Sequence, residues 1–169
     1  FARSADAHKR LNTQFEIRSI IKHYHLMAYG DIPWQSKEVS LPLKMDGDRR
    51  HRTIVALDSG KPADTFFQVL EKLKWSVCLL DAHPKTGYTH QIRAHTAAIG
   101  LQMINDPLYK AQLSKETSVN GNNFPSTSFW GLPITRIALH AISLQITHPV
   151  SHETVIFNAP YPEDFQNSL

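Results

Sequence analysis

Apolar and polar residues alternate along most of this chain with the two-residue period of β-strands, and only a few stretches change to the helical period. The clearest change is at residues 86–100, TGYTHQIRAHTAAIG. Thr86-Gly87 has turn chemistry, Thr89 is a residue type favoured at helix N-caps, and Gly100 stands where a helix stops. The spacing therefore predicts a helix over about 90–99, with Ile92, Thr96 and Ile99 toward the core. A second helix is predicted near the start, with Ser4 as N-cap, Asp6 in its first turn and Ala7, Leu11 and Phe15 on one face. Phe1-Ala2 reads as the end of a strand feeding it.

The strand pattern fills most of the rest. Residues 20–30, IIKHYHLMAYG, put Tyr24, Leu26 and Ala28 on one face and His23, His25 and Met27 on the other. Residues 38–43 and 53–57 read as short strands around DGDRRHR, where Asp46-Gly47 marks a turn. After the turn GKPADT, residues 63–73 and 75–83 form a predicted hairpin that delivers the chain to the helix over 90–99. Residues 134–150 and 153–160 read as two antiparallel strands joined across HPVSHE, and PYPEDF closes the chain. Strands outnumber helices without regular βαβ alternation. The expected class is α+β, a mixed, mainly antiparallel central sheet flanked by a few helices. One domain is expected over 1–169, with the polar stretch of about 111–133 as a surface insertion.

Composition narrows the function classes. No run approaches about 18 apolar residues and the first 30 residues mix charges among their apolar positions, so neither a membrane span nor a signal peptide is read. The one cysteine, Cys78, lies in the apolar run WSVCLL without a partner for an intrachain disulfide, which predicts a core position and a reducing, cytoplasmic setting. The formal charge of +3 is unevenly spread: residues 1–110 hold 16 Lys and Arg against 11 Asp and Glu, and the remainder 2 against 4. That asymmetry puts a basic surface on the first two-thirds of the chain and allows a polyanionic partner.

Two features carry candidate chemistry. Arg93 falls in the first turn or so of the helix over 90–99, with His90 and His95 close by; the helix dipole disfavours a cation there by roughly 0.3–1 kcal/mol, so an anion is expected nearby. A carboxylate from elsewhere in the fold, a substrate phosphate, and a solvated arginine on a surface helix all fit the spacing. Arg49, Arg50 and Arg52 form the densest positive cluster, which reads either as a solvated loop or as a phosphate-contacting hairpin tip. The ten histidines raise the question of a metal. His90 and His95 are five apart, wrong for one helical face, and no HExxH or CxxC occurs; His23 and His25 share a strand face, but no third ligand is evident in sequence. No metal site is assigned. Glycine-rich phosphate loops and the GxSxG elbow are absent too.

TGYTHQIRAH, followed by NDPLY (105–109) and RIALHAISLQITHP (136–149), resembles the RluA-type RNA pseudouridine synthases, and GKPADT, KHYHLMAYG and APYPEDF extend the likeness to nearly the whole chain outside the insertion. The resemblance implies a pseudouridine synthase-like fold, RNA (structured ribosomal or transfer RNA) as partner, isomerisation of uridine to pseudouridine as activity, and no cofactor. It places the family's active-site tyrosine on Tyr24, its basic active-site residue on Arg93, paired with a catalytic aspartate, and the apolar floor of the pocket on Leu139. His90 and Tyr88 join the arginine cluster as implied RNA-binding positions. The chain departs from the pattern at Tyr88, usually arginine, and Lys110, usually glycine. The larger departure is the nucleophilic aspartate, which the family carries in an HRLDxxTSGL segment expected about eight to ten residues before Phe1; the chain contains no HRLD. The expectation is therefore a C-terminal part of a catalytic domain, inactive alone, with an RNA-binding module lacking catalysis and a histidine-ligated metalloenzyme as alternatives.

Overall fold

Strand β1 (Ile21–Tyr29) takes the middle of the fold because its sequence turns apolar on both faces: Leu26, Met27 and Ala28 are all completely buried. The computed structural model describes residues 1–110 and 132–169, so residues 111–131 of the expected insertion lie outside the described residues. On one side β1 pairs with β6 (Val77–Pro84), followed outward by β5 (Asp64–Lys72) and β2 (Ser36–Ser40). On the other side it pairs with β8 (Leu139–Thr147) and then β9 (Thr154–Asn158); where β8 leaves the edge at Leu26, the short β7 (Gln102–Met103) takes it up at Ala28 and Tyr29. Every pairing among the described residues is antiparallel, so the expected mainly antiparallel sheet is what forms.

The sheet buries both faces, as two-sided apolar strands require. Leu26, Ala28, Phe67, Leu80 and Ala82, with Cys78 beside them, pack against Ile92 and Leu101 on the side of helix α2 (Gln91–Ala98). Met27, Val77 and Leu79 pack on the opposite side against Ile134, Ala138 and Phe165, the last delivered by the single turn of α3 (Glu163–Gln166). Phe67 and Phe165 are wholly enclosed, and each contributes about 1.5–3 kcal/mol of transfer free energy relative to an exposed ring.

Four expectations need correction. The strand expected over 38–43 breaks at Pro42: its first part belongs to β2 at the edge of the large sheet, while Leu43-Lys44 (β3) turns away to pair with Ile54-Val55 (β4) in a separate ribbon. Pro42 has no N–H to continue the ladder, and its carbonyl instead accepts from the Ala56 N–H at 2.9 Å. Phe1-Ala2 is not in a strand. Helix α1 (Ala5–Glu16) is capped by Ser4 as its sequence predicts, with Oγ accepting from the Ala7 N–H at 3.2 Å, but none of its residues is fully buried and Phe15 is exposed. Finally, Thr89 does not cap α2.

Candidate active site

Helix α2 is held far more tightly than a surface helix. All residues from Gln91 to Ala97 are buried, because the large sheet covers the Ile92 side while the β3–β4 ribbon and Tyr109 cover the Ala94 and Ala97 side. Its C-terminus is a Schellman closure: Gly100 adopts φ +82°, its N–H bonds the Ala97 carbonyl, and the Leu101 N–H reaches back to Thr96. At the N-terminus His90, in the left-handed region at φ 54°, occupies the cap position without a side-chain capping bond to the helix. Gln91 closes that end instead. Its Oε1 accepts from the Thr86 hydroxyl at 2.6 Å and the Tyr88 N–H at 3.2 Å, and its Nε2 donates to the Asp64 carbonyl at 2.9 Å and Thr65 Oγ1 at 3.0 Å. The left-handed turn at His90 leaves the Thr89 carbonyl to accept the Thr53 hydroxyl at 2.6 Å, which ties the β3–β4 ribbon to the helix start.

His95 is structural. Fully buried, it faces the Leu41 carbonyl through Nε2 at 3.0 Å and Thr65 Oγ1 through Nδ1 at 2.9 Å. A carbonyl can only accept, so Nε2 carries the proton and Nδ1 accepts from threonine. Burial pushes its pKa down, in keeping with a neutral ring.

The anion that Arg93 calls for is Asp106, a carboxylate from elsewhere in the fold. Arg93 Nε and Nη2 each donate to one Asp106 oxygen at 2.7 Å, with the arginine side chain 9% exposed and the aspartate 0%. Oδ1 of Asp106 also accepts the Leu108 and Tyr109 N–H groups at 2.9 and 3.0 Å, and the guanidinium lies 4.8 Å from the Tyr109 ring centre. Burial alone would raise the Asp106 pKa; the bonds from Arg93 and from those two amides outweigh it and hold the carboxyl below its ordinary value. Among the described residues, the carboxylate that Arg93 meets is thus Asp106, in a bidentate pair. Sequence reasoning passed over Asp106 because NDPLY was read only as a motif; the signal was an aspartate two residues before a free N–H in a proline-containing turn.

Five of the eight sequence-derived site residues meet in one open cleft of ≈ 220 Å³: Tyr24 from β1, Leu139 at the start of β8, and Tyr88, His90 and Arg93 from the turn and helix. Lys22, which sequence reading left out, joins them, with Nζ donating to the Thr86 carbonyl at 3.2 Å. Burial pushes the Tyr24 phenol up, so its hydroxyl is protonated near neutral pH, and burial together with neighbouring Arg18 lowers Lys22. His90 Nδ1 lies 3.2 Å from the Tyr109 hydroxyl, which itself accepts the Thr53 N–H at 2.9 Å; that leaves the phenol proton for the imidazole. No carboxylate lines this cleft among the described residues.

The arginine cluster divides. Arg49 and Arg50 are exposed on the ribbon's tip, whereas Arg52 turns inward: its Nε and Nη2 bond Asp48 at 2.7 and 2.6 Å and its Nη1 donates to the Leu108 carbonyl at 2.8 Å. Arg52 is thereby a strut between the ribbon and the Asp106–Tyr109 turn, and its placement as a free phosphate ligand is corrected.

Known proteins are similar to this chain in sequence and in fold. The chain is 32% identical over 160 residues to the dual-specificity RNA pseudouridine synthase RluA of Pasteurella multocida, covering 95% of this chain and 66% of that protein. It is 33% identical over 171 residues to the ribosomal large subunit pseudouridine synthase D of Blochmanniella floridana, covering 96% of this chain and 50% of the relative. The chain thus spans between half and two-thirds of the length of these curated relatives. Among solved structures, human RNA pseudouridylate synthase domain containing 1 superposes with a TM-score of 0.69 at 25% identity, over 95% of this chain and 62% of that one. Because the family model described as RNA pseudouridylate synthase matches residues 1–98, which contain Tyr24, Arg93 and the helix that carries the cleft, the chain belongs to the RNA pseudouridylate synthase family.

Proposed function

We propose that this chain forms the uridine-binding part of an enzyme that isomerises uridine to pseudouridine in structured ribosomal or transfer RNA. The observation that carries the reading is the convergence of Tyr24, Leu139 and Arg93 on one small cleft, from three elements distant in sequence. Its volume suits one extruded base rather than a duplex. Flipping a uridine costs a few kcal/mol, least in a loop, and stacking on an aromatic ring returns about 1–3 kcal/mol. Tyr24 supplies that ring and Leu139 the apolar floor. Lys22 and the exposed Arg49 and Arg50 supply positive charge for the RNA backbone, where Arg suits phosphate well.

Isomerisation breaks the bond from the ribose to N1, turns the base and rejoins it through C5, which then loses its proton. The Tyr24 hydroxyl is proposed to take part in that last transfer. A carboxylate nucleophile must assist detachment. Asp106 is unsuited to it, since both of its oxygens are occupied by Arg93 in a closed site. The nucleophile is therefore proposed to come from outside the described residues. That no carboxylate lines the cleft among the described residues also favours a second reading, an RNA-binding module without catalysis. Mapping pseudouridines in host RNA with and without the gene separates the two: loss of one or a few sites on deletion supports the enzyme, and an unchanged map contradicts it.

A further inference from the structure

The face of β1 opposite Tyr24 carries a second cluster. His23 and His25 alternate with Tyr24 along the strand, and the register sets Asp81 of β6 directly across from His25, with His83 two residues further along on the same face. Sequence reading found the two β1 histidines but no third ligand; strand pairing supplies it. His23 Nδ1 lies 3.2 Å and His83 Nε2 2.6 Å from the same oxygen, Asp81 Oδ2, and one donor atom from each of His23, Asp81 and His83 falls within 4.8 Å of the others. The two imidazoles meet with ring centres 3.8 Å apart at 60°.

The other carboxylate oxygen points the same way. Asp81 is 8% exposed, and its Oδ1 is buried with no hydrogen-bond partner, although such a group normally has one and leaving it bare costs about 1–3 kcal/mol. His25 approaches it, with Nε2 3.9 Å away, too far for a hydrogen bond, while His25 Nδ1 is held by the Tyr161 hydroxyl. Two imidazole nitrogens and a half-unsatisfied buried carboxylate, converging on one point, form the donor set of a divalent transition-metal site.

We propose that His23, Asp81 and His83 bind one zinc ion, with His25 standing 3.9 Å from the second Asp81 oxygen. Zinc bonds of about 2.0–2.2 Å require donors roughly 3.4 Å apart, which small side-chain rotations reach from the separations seen. His23 and His83, each 32% exposed, leave a further position open to solvent, so the site has three protein ligands and one for water. The ion would clamp β1 to β6 directly behind Tyr24, on the far face of the sheet from the cleft. It is separate from the proposed isomerase chemistry.

The test uses untagged protein stripped of metal by a chelator, titrated with zinc chloride by calorimetry and thermal melting, and with Co²⁺ as a visible probe. One zinc per chain is expected, with the melting temperature rising by about 5–10 °C at a hundredfold excess over Kd. Asp81→Asn and His83→Gln should weaken binding by more than about 100-fold, while exposed His8→Gln leaves it unchanged. If Asp81→Asn does not fold, His23→Gln and His83→Gln decide the matter alone. Substoichiometric binding, or affinity that these ligand substitutions change no more than His8→Gln, overturns the proposal and leaves Asp81 as a hydrogen-bond hub for histidines.

Discussion

Removing the Asp106 carboxylate is the sharpest perturbation of this architecture. Among the described residues Asp106 is the charged partner of Arg93, reached through two 2.7 Å bonds in a site where the aspartate is wholly inaccessible. Asp106→Ala strands a buried guanidinium, which costs about 3–5 kcal/mol, and leaves the Leu108 and Tyr109 N–H groups without their acceptor, at about 1–3 kcal/mol each if water does not reach them. These losses share one site and do not add, so about 4–6 kcal/mol is expected, a large part of the 5–15 kcal/mol typical of a domain. At about 2–4 °C per kcal/mol for a chain of this size, the melting temperature should fall by about 8–24 °C. Replacing both partners by apolar residues, Arg93→Met with Asp106→Leu, should recover much of the loss, because neither then carries a buried charge. Urea unfolding of the parent, Arg93→Met, Asp106→Leu and the double variant gives the cycle. A loss below about 1 kcal/mol for Asp106→Ala, as in an exposed ion pair, would refute the reasoning. Arg93→Lys keeps the charge but not the fork, so it perturbs folding as well as the cleft, and its activity has meaning only per folded molecule.

Other predictions follow from the same contacts. Burial first holds the pKa values of His90 and His95 below their ordinary 6.5, so each binds fewer protons folded than unfolded; their contribution is complete above about pH 6.5 and is lost as pH falls through the lowered values. Asp106, held below 3.8, gives a second decline in acid, and a melting temperature that is flat from pH 7 to 3 would contradict both. Arg49→Ala with Arg50→Ala should weaken RNA-stem-loop binding and flatten its salt dependence without altering the melt, whereas Arg52→Ala should lower the melting temperature through its lost bonds to Asp48 and Leu108. Unchanged RNA affinity in the first case, or an unchanged melt in the second, would show that the cluster is assigned wrongly.

Much of this was legible in the sequence, for physical reasons that differ between elements. The two faces of β1 follow from strict alternation, and the turn before α2, its Ile92 and Ile99 contacts and its Gly100 closure follow from local chemistry. What escaped was set by contacts distant in sequence. Arg52 is held by Asp48, four residues away, and by the distant carbonyl of Leu108, and only the second of these is beyond local sequence. His90, in the left-handed region, takes the cap position expected of Thr89, whose carbonyl accepts from Thr53, 36 residues away. Asp106 and Asp81 each became visible as partners only once strands and turns had brought Arg93 and the β1 histidines to them.

The central claim is that Tyr24, at the cleft, acts on a uridine base whose C5 proton is lost. It is tested most directly by single-turnover release of tritium from RNA labelled at uridine C5, using the protein together with whatever segment supplies the nucleophile. Tyr24→Phe keeps the stacking ring and removes only the hydroxyl, so the account predicts unchanged RNA affinity and melting temperature with tritium release slowed about 10²–10⁴-fold. Release at the parent rate by Tyr24→Phe, or none by the parent on any host RNA, would contradict it.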